Sequence, residues 1–155
     1  MASGENLTAR IDITQIPFNK FVGITRDEDE SGFVLQLGDS PDYQNHLGTV
    51  HASAQLALAE ATSGECLMRQ FPELGKSVLA VVRRLEAKFR NPLKGKVMSR
   101  ARIPEEDAKK MTEQLQTKGR GLISVEVEVV AADGTVGLIA TVEWFVQRQQ
   151  PPTVD

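Results

Sequence analysis

Asn45–Gly64 reads NHLGTVHASAQLALAEATSG, a loop of turn formers that gives way to a run of Ala and Leu interrupted by one acid, Glu60. Ala, Leu, Glu and Gln are strong helix formers, and the run continues to Gln70 before Pro72 stops it, so the pattern predicts one helix over about 51–70. At 100° per residue, Gln55, Thr62, Glu65 and Arg69 gather on one side and form a polar stripe. Glu60 falls nearly opposite, among Ser53, Leu56, Ser63, Gly64 and Leu67. The plain reading of Glu60 is a solvated or salt-bridged helix acid. The sharper one starts from weak amphipathicity: a helix apolar nearly all round is buried. A carboxylate on it has its pKa raised by desolvation, the state a general acid or base requires.

The loop before the helix gives such a carboxylate something to act with. Its exit through GTVHAS delivers the unpaired N–H groups of a helix start, which together with the helix dipole favour negative charge, as an oxyanion site does. Gly48 and the small residues Ala52 and Ser53 leave room for close approach to the backbone. Asn45 has the hydrogen-bonding capacity to place a water or a carbonyl. His51 reads as a cap or packing residue at the helix start.

Outward from this stretch, ITQIPFNKFVG reads as a short helix stopped by Gly23, followed by two extended segments that flank the acidic turn DEDESG. DSPDYQNHLG is a loop. In SVLAVVRRLEAKF, Leu85, Ala87 and Phe89 alternate with Arg84, Glu86 and Lys88, the mark of a half-buried strand, and KVMSRARI is the next strand. PEEDAKKMTEQLQTKG has the punctuation of a surface helix and reads as a solvated connector. LISVEVEVVAA and TVGLIATVEWFV flank Asp133-Gly134, a dipeptide that favours a type I′ hairpin turn. The sum is about six strands and one apolar helix, an α+β arrangement with an antiparallel sheet wrapped around the helix.

The 155-residue length suits one domain over 1–155, with a core at about 11–148 and a loose tail. Apolar residues at 41%, charged residues at 25% and a net charge of −3 describe a globular chain without a nucleic-acid footprint. The single cysteine, Cys66, and the absence of a signal-like or membrane-length apolar run point to a reducing cytoplasm and to no membrane partner. His46 and His51, without a Cys/His cluster, give no metal site. Arg83, Arg84, Lys88, Arg90, Lys94, Lys96, Arg100 and Arg102 form a basic stretch, read either as a solvated sheet face or as a binder of phosphates.

Asn45-x-x-Gly48-Thr49-x-His51, followed nine residues later by an acid in a small-residue helix, resembles the hotdog-fold acyl-CoA thioesterases. The likeness is to the branch related to phenylacetate-pathway and human-type enzymes and to the DUF4442 group, and it extends over about residues 11–148. It implies a curved antiparallel sheet around a central α-helix, a homodimer joined edge to edge with active sites at the interface, and in some cases a homotetramer. It also implies an acyl-CoA substrate, CoA being part of that substrate rather than a cofactor. By position, Glu60 is the base or nucleophile, Ala52 supplies the oxyanion N–H, Asn45 orients water or substrate and Ser63 holds the attacking water. His46, Gly48, His51, Arg90 and Lys94 are the substrate-binding candidates, Arg90 and Lys94 for the CoA phosphates. The family's His-Gly-Gly is His51-Ala52-Ser53 here, and its commoner Asp is Glu60. These departures keep a second reading open, a non-catalytic hotdog that binds an acyl-CoA or acyl carrier. A third, a dehydratase, requires His46 and Glu60 to share a pocket.

Overall fold

The computed structural model describes residues 11–27 and 32–149. Alternating strand patterns become β1 (Thr25–Arg26), β2 (Leu35–Leu37), β3 (Val78–Phe89), β4 (Val97–Arg102), β5 (Arg120–Ala131) and β6 (Val136–Arg148). They form one antiparallel sheet in the order β1-β2-β4-β5-β6-β3. Residues 28–31, most of the acidic turn expected between the first two strands, lie outside the described residues. The helices are α1 (Pro17–Val22), α2 (Ala52–Gln70) and α3 (Glu105–Lys118). Gly23 ends α1 at φ 90°, a left-handed cap that a side chain rarely tolerates.

Alternation decides which residues make the core. Val125, Val127 and Val129 on β5, Leu138, Ala140 and Val142 on β6, and Leu35 and Leu37 on β2 are all buried, and α2 packs Leu58, Ala59 and Ala61 over that face. The outer face carries the charges: Arg100 and Arg102 on β4 sit opposite Glu128 and Glu126 on β5, with ion pairs of 2.7 and 2.6 Å.

Three features differ from the sequence expectations. The polar stripe of α2 is not a solvated face, because Gln55, Thr62 and Glu65 are buried. Gln55 donates to the Val50 carbonyl, Thr62 shares a hydrogen bond with Ser99 of β4, and Glu65 meets Arg26 of β1 at 2.6 Å and Arg69 at 3.0 Å. Periodicity had grouped these residues correctly, but the partners that bury Thr62 and Glu65, Ser99 and Arg26, come from distant strands.

The final hairpin is not a type I′ turn, since that turn needs positive φ at both central residues and only Gly134 has it, at 87°. Gly134 donates to Ala131 and Ala131 donates to Thr135, each at 2.9 Å, so the loop is three residues long with a left-handed glycine. Nor is α3 merely a solvated connector. Ala108, Met111 and Leu115, at helical spacing, are buried as it packs on β5.

β3 closes the sheet on one side, and its outer edge has no strand partner among the described residues. A bulge at Arg83 separates the Val82–Trp144 and Arg84–Glu143 pairs, so Val82 and Leu85 share one face, Leu85 packed on the core and Val82 38% exposed. Leu79, Val81 and Phe89 are 52, 55 and 50% exposed on this strand. The first half of this edge, residues 78–82, is apolar, the kind that proteins ordinarily cover, whereas Arg83, Arg84, Glu86 and Lys88 charge the second half.

Candidate active site

His51 caps α2: its Nδ1 accepts the Ser53 N–H at 2.9 Å, and its own N–H donates to the Tyr43 carbonyl. The Ala52 and Ala54 N–H groups, at the first and third helical positions, are left without an acceptor among the described residues. They open beside a groove of about 540 Å³ lined by Phe18, Phe21, Tyr43, His51, Ser53 and Ala57.

The loop ahead of the helix is held by Asn45. Its Oδ1 accepts the N–H groups of Leu47 and Thr49 at 2.9 and 3.1 Å, and its Nδ2 donates to Thr49 Oγ1 at 2.8 Å. The Asn45 amide is thus engaged within its own loop, the turn that Asn and Gly sequences favour. Gly48, at φ 73°, completes it. His46 and Leu47 project from the tip, Leu47 being 71% exposed. Gly48 and Lys94 meet across a narrow cleft, because the Val50 N–H donates to Leu93 and draws the two loops together.

Glu60 lies on the face of α2 turned away from Thr62 and Ser99. It is half-buried, and no described residue offers its carboxylate a hydrogen bond or an ion pair. Burial therefore raises its pKa, with nothing nearby to bring it down. The Ser63 hydroxyl is fully buried and occupied, donating to the Glu60 carbonyl at 2.6 Å and accepting the Trp144 indole N–H at 3.0 Å. This Ser63–Trp144 contact, across 81 residues, carries no short-range sequence signal.

Glu60 and the helix start are not brought to one point within a chain. Eight residues of helix separate Ala52 from Glu60, about 12 Å along the axis. A single carbonyl cannot be reached by both from the same protomer.

The basic stretch divides. Arg84, Arg100 and Arg102 are paired with Glu86, Glu128 and Glu126, and the Arg100 guanidinium also lies 5.5 Å from the Phe33 ring centre. Arg90 and Lys94 are exposed and carry no such pairing with described residues. No helix among the described residues is long and apolar enough to cross a membrane.

The fold is shared with solved structures. A Pseudomonas aeruginosa protein of unknown function, described as a probable thioesterase, matches with a TM-score of 0.74 at 22% identity, covering 88% of this chain and 91% of its own. A Haemophilus influenzae thioesterase matches at 0.66 and 14% identity over 92% and 90% of the two chains. A Bacillus halodurans protein solved with CoA matches at 0.57 and 25% identity, over 72% of this chain and 69% of that one. No curated protein matches the sequence. The sheet wrapped around α2 is the hotdog fold that these thioesterase-like neighbours carry. The model of the domain of unknown function DUF4442 matches residues 4–146, nearly the whole chain, and the protein belongs to that family.

Proposed function

We propose that this protein hydrolyses an acyl-CoA thioester with Glu60 as general base. The observation that carries the reading is Glu60 itself, a half-buried carboxylate with a raised pKa and no partner among the described residues, on the face of α2 opposite Thr62 and Glu65. Such an acid accepts a proton more readily than a solvated glutamate, which is what base catalysis near neutral pH asks of it. Glu60 takes a proton from water as the water oxygen bonds to the thioester carbonyl. The carbonyl oxygen becomes an oxyanion, held by the Ala52 N–H at a helix start. Collapse of this intermediate breaks the C–S bond, and the proton on Glu60 passes to the departing CoA sulfur.

With about 12 Å between Ala52 and Glu60 along one helix, this reading gives the two roles to different protomers. The apolar edge of β3 is the surface on which a second copy pairs, giving a homodimer. The Asn45 loop, pinned by its own amide, then serves as a rigid wall of the partner's site, with His46 and Leu47 at its tip. Ser63 acts as a positioning residue that fixes the turn carrying Glu60. The CoA-bound neighbour supports a CoA-type ligand, and Arg90 and Lys94, two of the cations without an ion pair to described residues, are the ones offered to its phosphates. The free thiol of Cys66 suits a reducing cytoplasm.

One observation favours the non-catalytic reading: His51 occupies the Ser53 N–H, leaving the oxyanion fewer donors at the helix start. The test is free thiol release from short, medium, long and aromatic acyl-CoAs. We expect turnover with at least one class, and CoA binding without turnover of any of them would give the protein to the binding reading.

A further inference from the structure

The face of α2 that carries Glu60 continues into a second cavity. Gly64 and Leu67 follow Glu60 by four and seven residues, within about 40° of it around the helix. They line a partly open apolar cavity of about 170 Å³ together with Ile13, Met68, Ala80, Trp144 and the exposed Ile11 and Leu79. Gly64 is the opening in its wall: a methyl placed there would lie 3.4 Å from the Trp144 ring and 3.5 Å from Ile13, in contact with both. A glycine in mid-helix is a costly choice, and here its missing side chain is cavity volume one helical turn from the proposed base.

We propose that this cavity receives the apolar tail of the acyl group, a chain of about six carbons if each fills the roughly 30 Å³ share of one liquid water, and that Gly64 sets its depth. The proposal rests on the thioesterase reading and extends it to a substrate class, medium-length aliphatic acyl thioesters. With the carbonyl at Glu60, the chain runs along α2 toward its C-terminal end, past Gly64 and onto the face of Trp144. The wall is aliphatic apart from that one ring, which suits a flexible chain.

S-alkyl-CoA thioethers test this without requiring catalysis, since they keep the chain and cannot be hydrolysed. The single tryptophan, Trp144, reports occupancy through its emission. Affinity is expected to rise about fourfold per methylene from S-butyl to about S-hexyl and then level off, with the Trp144 emission changing in step. Gly64→Ala, whose methyl the site accommodates, should bring the levelling one carbon earlier. Gly64→Leu should weaken S-hexyl-CoA at least about tenfold while leaving S-methyl-CoA unchanged; if that variant does not fold, Gly64→Ala decides alone. Affinity that ignores chain length, or a Gly64→Ala profile identical to the wild type, would overturn the proposal. Length-dependent thioether binding with no thioester turnover would remove the thioesterase reading and leave the cavity assignment standing. Turnover with length-blind binding would do the reverse.

Discussion

Glu60→Gln is expected to lower acyl-CoA turnover by about 100-fold or more, the scale of losing a general base, and at the same time to raise the melting temperature at neutral pH. The two effects have one cause. Burial raises the Glu60 pKa by penalising its charged form. A carboxyl whose folded pKa lies above its unfolded value contributes stability below the unfolded value, near 4.3 for glutamate, and that contribution is lost as pH rises through the folded value. Where Glu60 is ionised, the wild type therefore carries the penalty of a partly buried charge and the glutamine variant does not. Each kcal/mol relieved raises Tm by about 2–4 °C.

The difference between the two proteins should vanish below about pH 4, where Glu60 is protonated in folded and unfolded chains alike. In the wild type, kcat should fall on the acid side of a pH above the ordinary glutamate range. Thermal melts of both proteins from pH 3.5 to 8, with thiol release alongside, check this. Undiminished turnover in the variant would acquit Glu60. A lower Tm at pH 7 would show that its charge is compensated in the folded protein.

Five residues along the same helix, Glu65 should behave in the opposite sense. It is 1% exposed and meets Arg26 and Arg69. Burial pushes its carboxyl upward, but hydrogen bonds and charge from the two guanidinium groups outweigh that, and the pKa ends below the usual value. Its stabilisation is therefore present above the unfolded value and lost as pH falls through the folded one. Glu65→Ala removes one carboxylate from Arg26, which is 36% exposed and keeps its 2.9 Å pair with Asp12. Solvent screening therefore holds the cost well below that of breaking a fully buried pair, about 3–5 kcal/mol. The expected loss of Tm is a few degrees at pH 7, shrinking in acid. Calorimetry of the variant at pH 7 and pH 4 measures it, and a loss of the same size at both values would mean that the pair is not what holds β1 to α2.

These two acids also show how far the sequence could be read. Helix α2 was legible in both extent and period, because Ala and Leu dominate it and Pro72 stops it. The angular separation of Glu60 from Gln55, Thr62 and Glu65 was legible too. Which of the two sides met the sheet was not, because the buried polar side chains are satisfied by Ser99 and Arg26, 37 and 39 residues away. A polar stripe satisfied at long range looks the same in sequence as a solvated one.

Local chemistry misled in the same way at Asp133-Gly134, where the dipeptide marked the turn but the register of β5 against β6 set its length. The helix cap at His51 was within reach of local reasoning. The engagement of Asn45 with Thr49 was too, since Asn before a glycine turn commonly bonds its own backbone. The Ser63–Trp144 bond and the Gly64 cavity were not, because both depend on which β6 residue comes to rest beside the helix.

The bulge in β3 leaves that strand with one residue more than its partner needs. Deleting a residue elsewhere in a regular strand turns every later side chain to the opposite face. Deleting Arg83 would instead bring Val82 and Arg84 into direct succession opposite Trp144 and Glu143, and every other side chain of β3 would keep its present face. The strand thus contains one position at which the chain can be shortened without its inner and outer surfaces changing places.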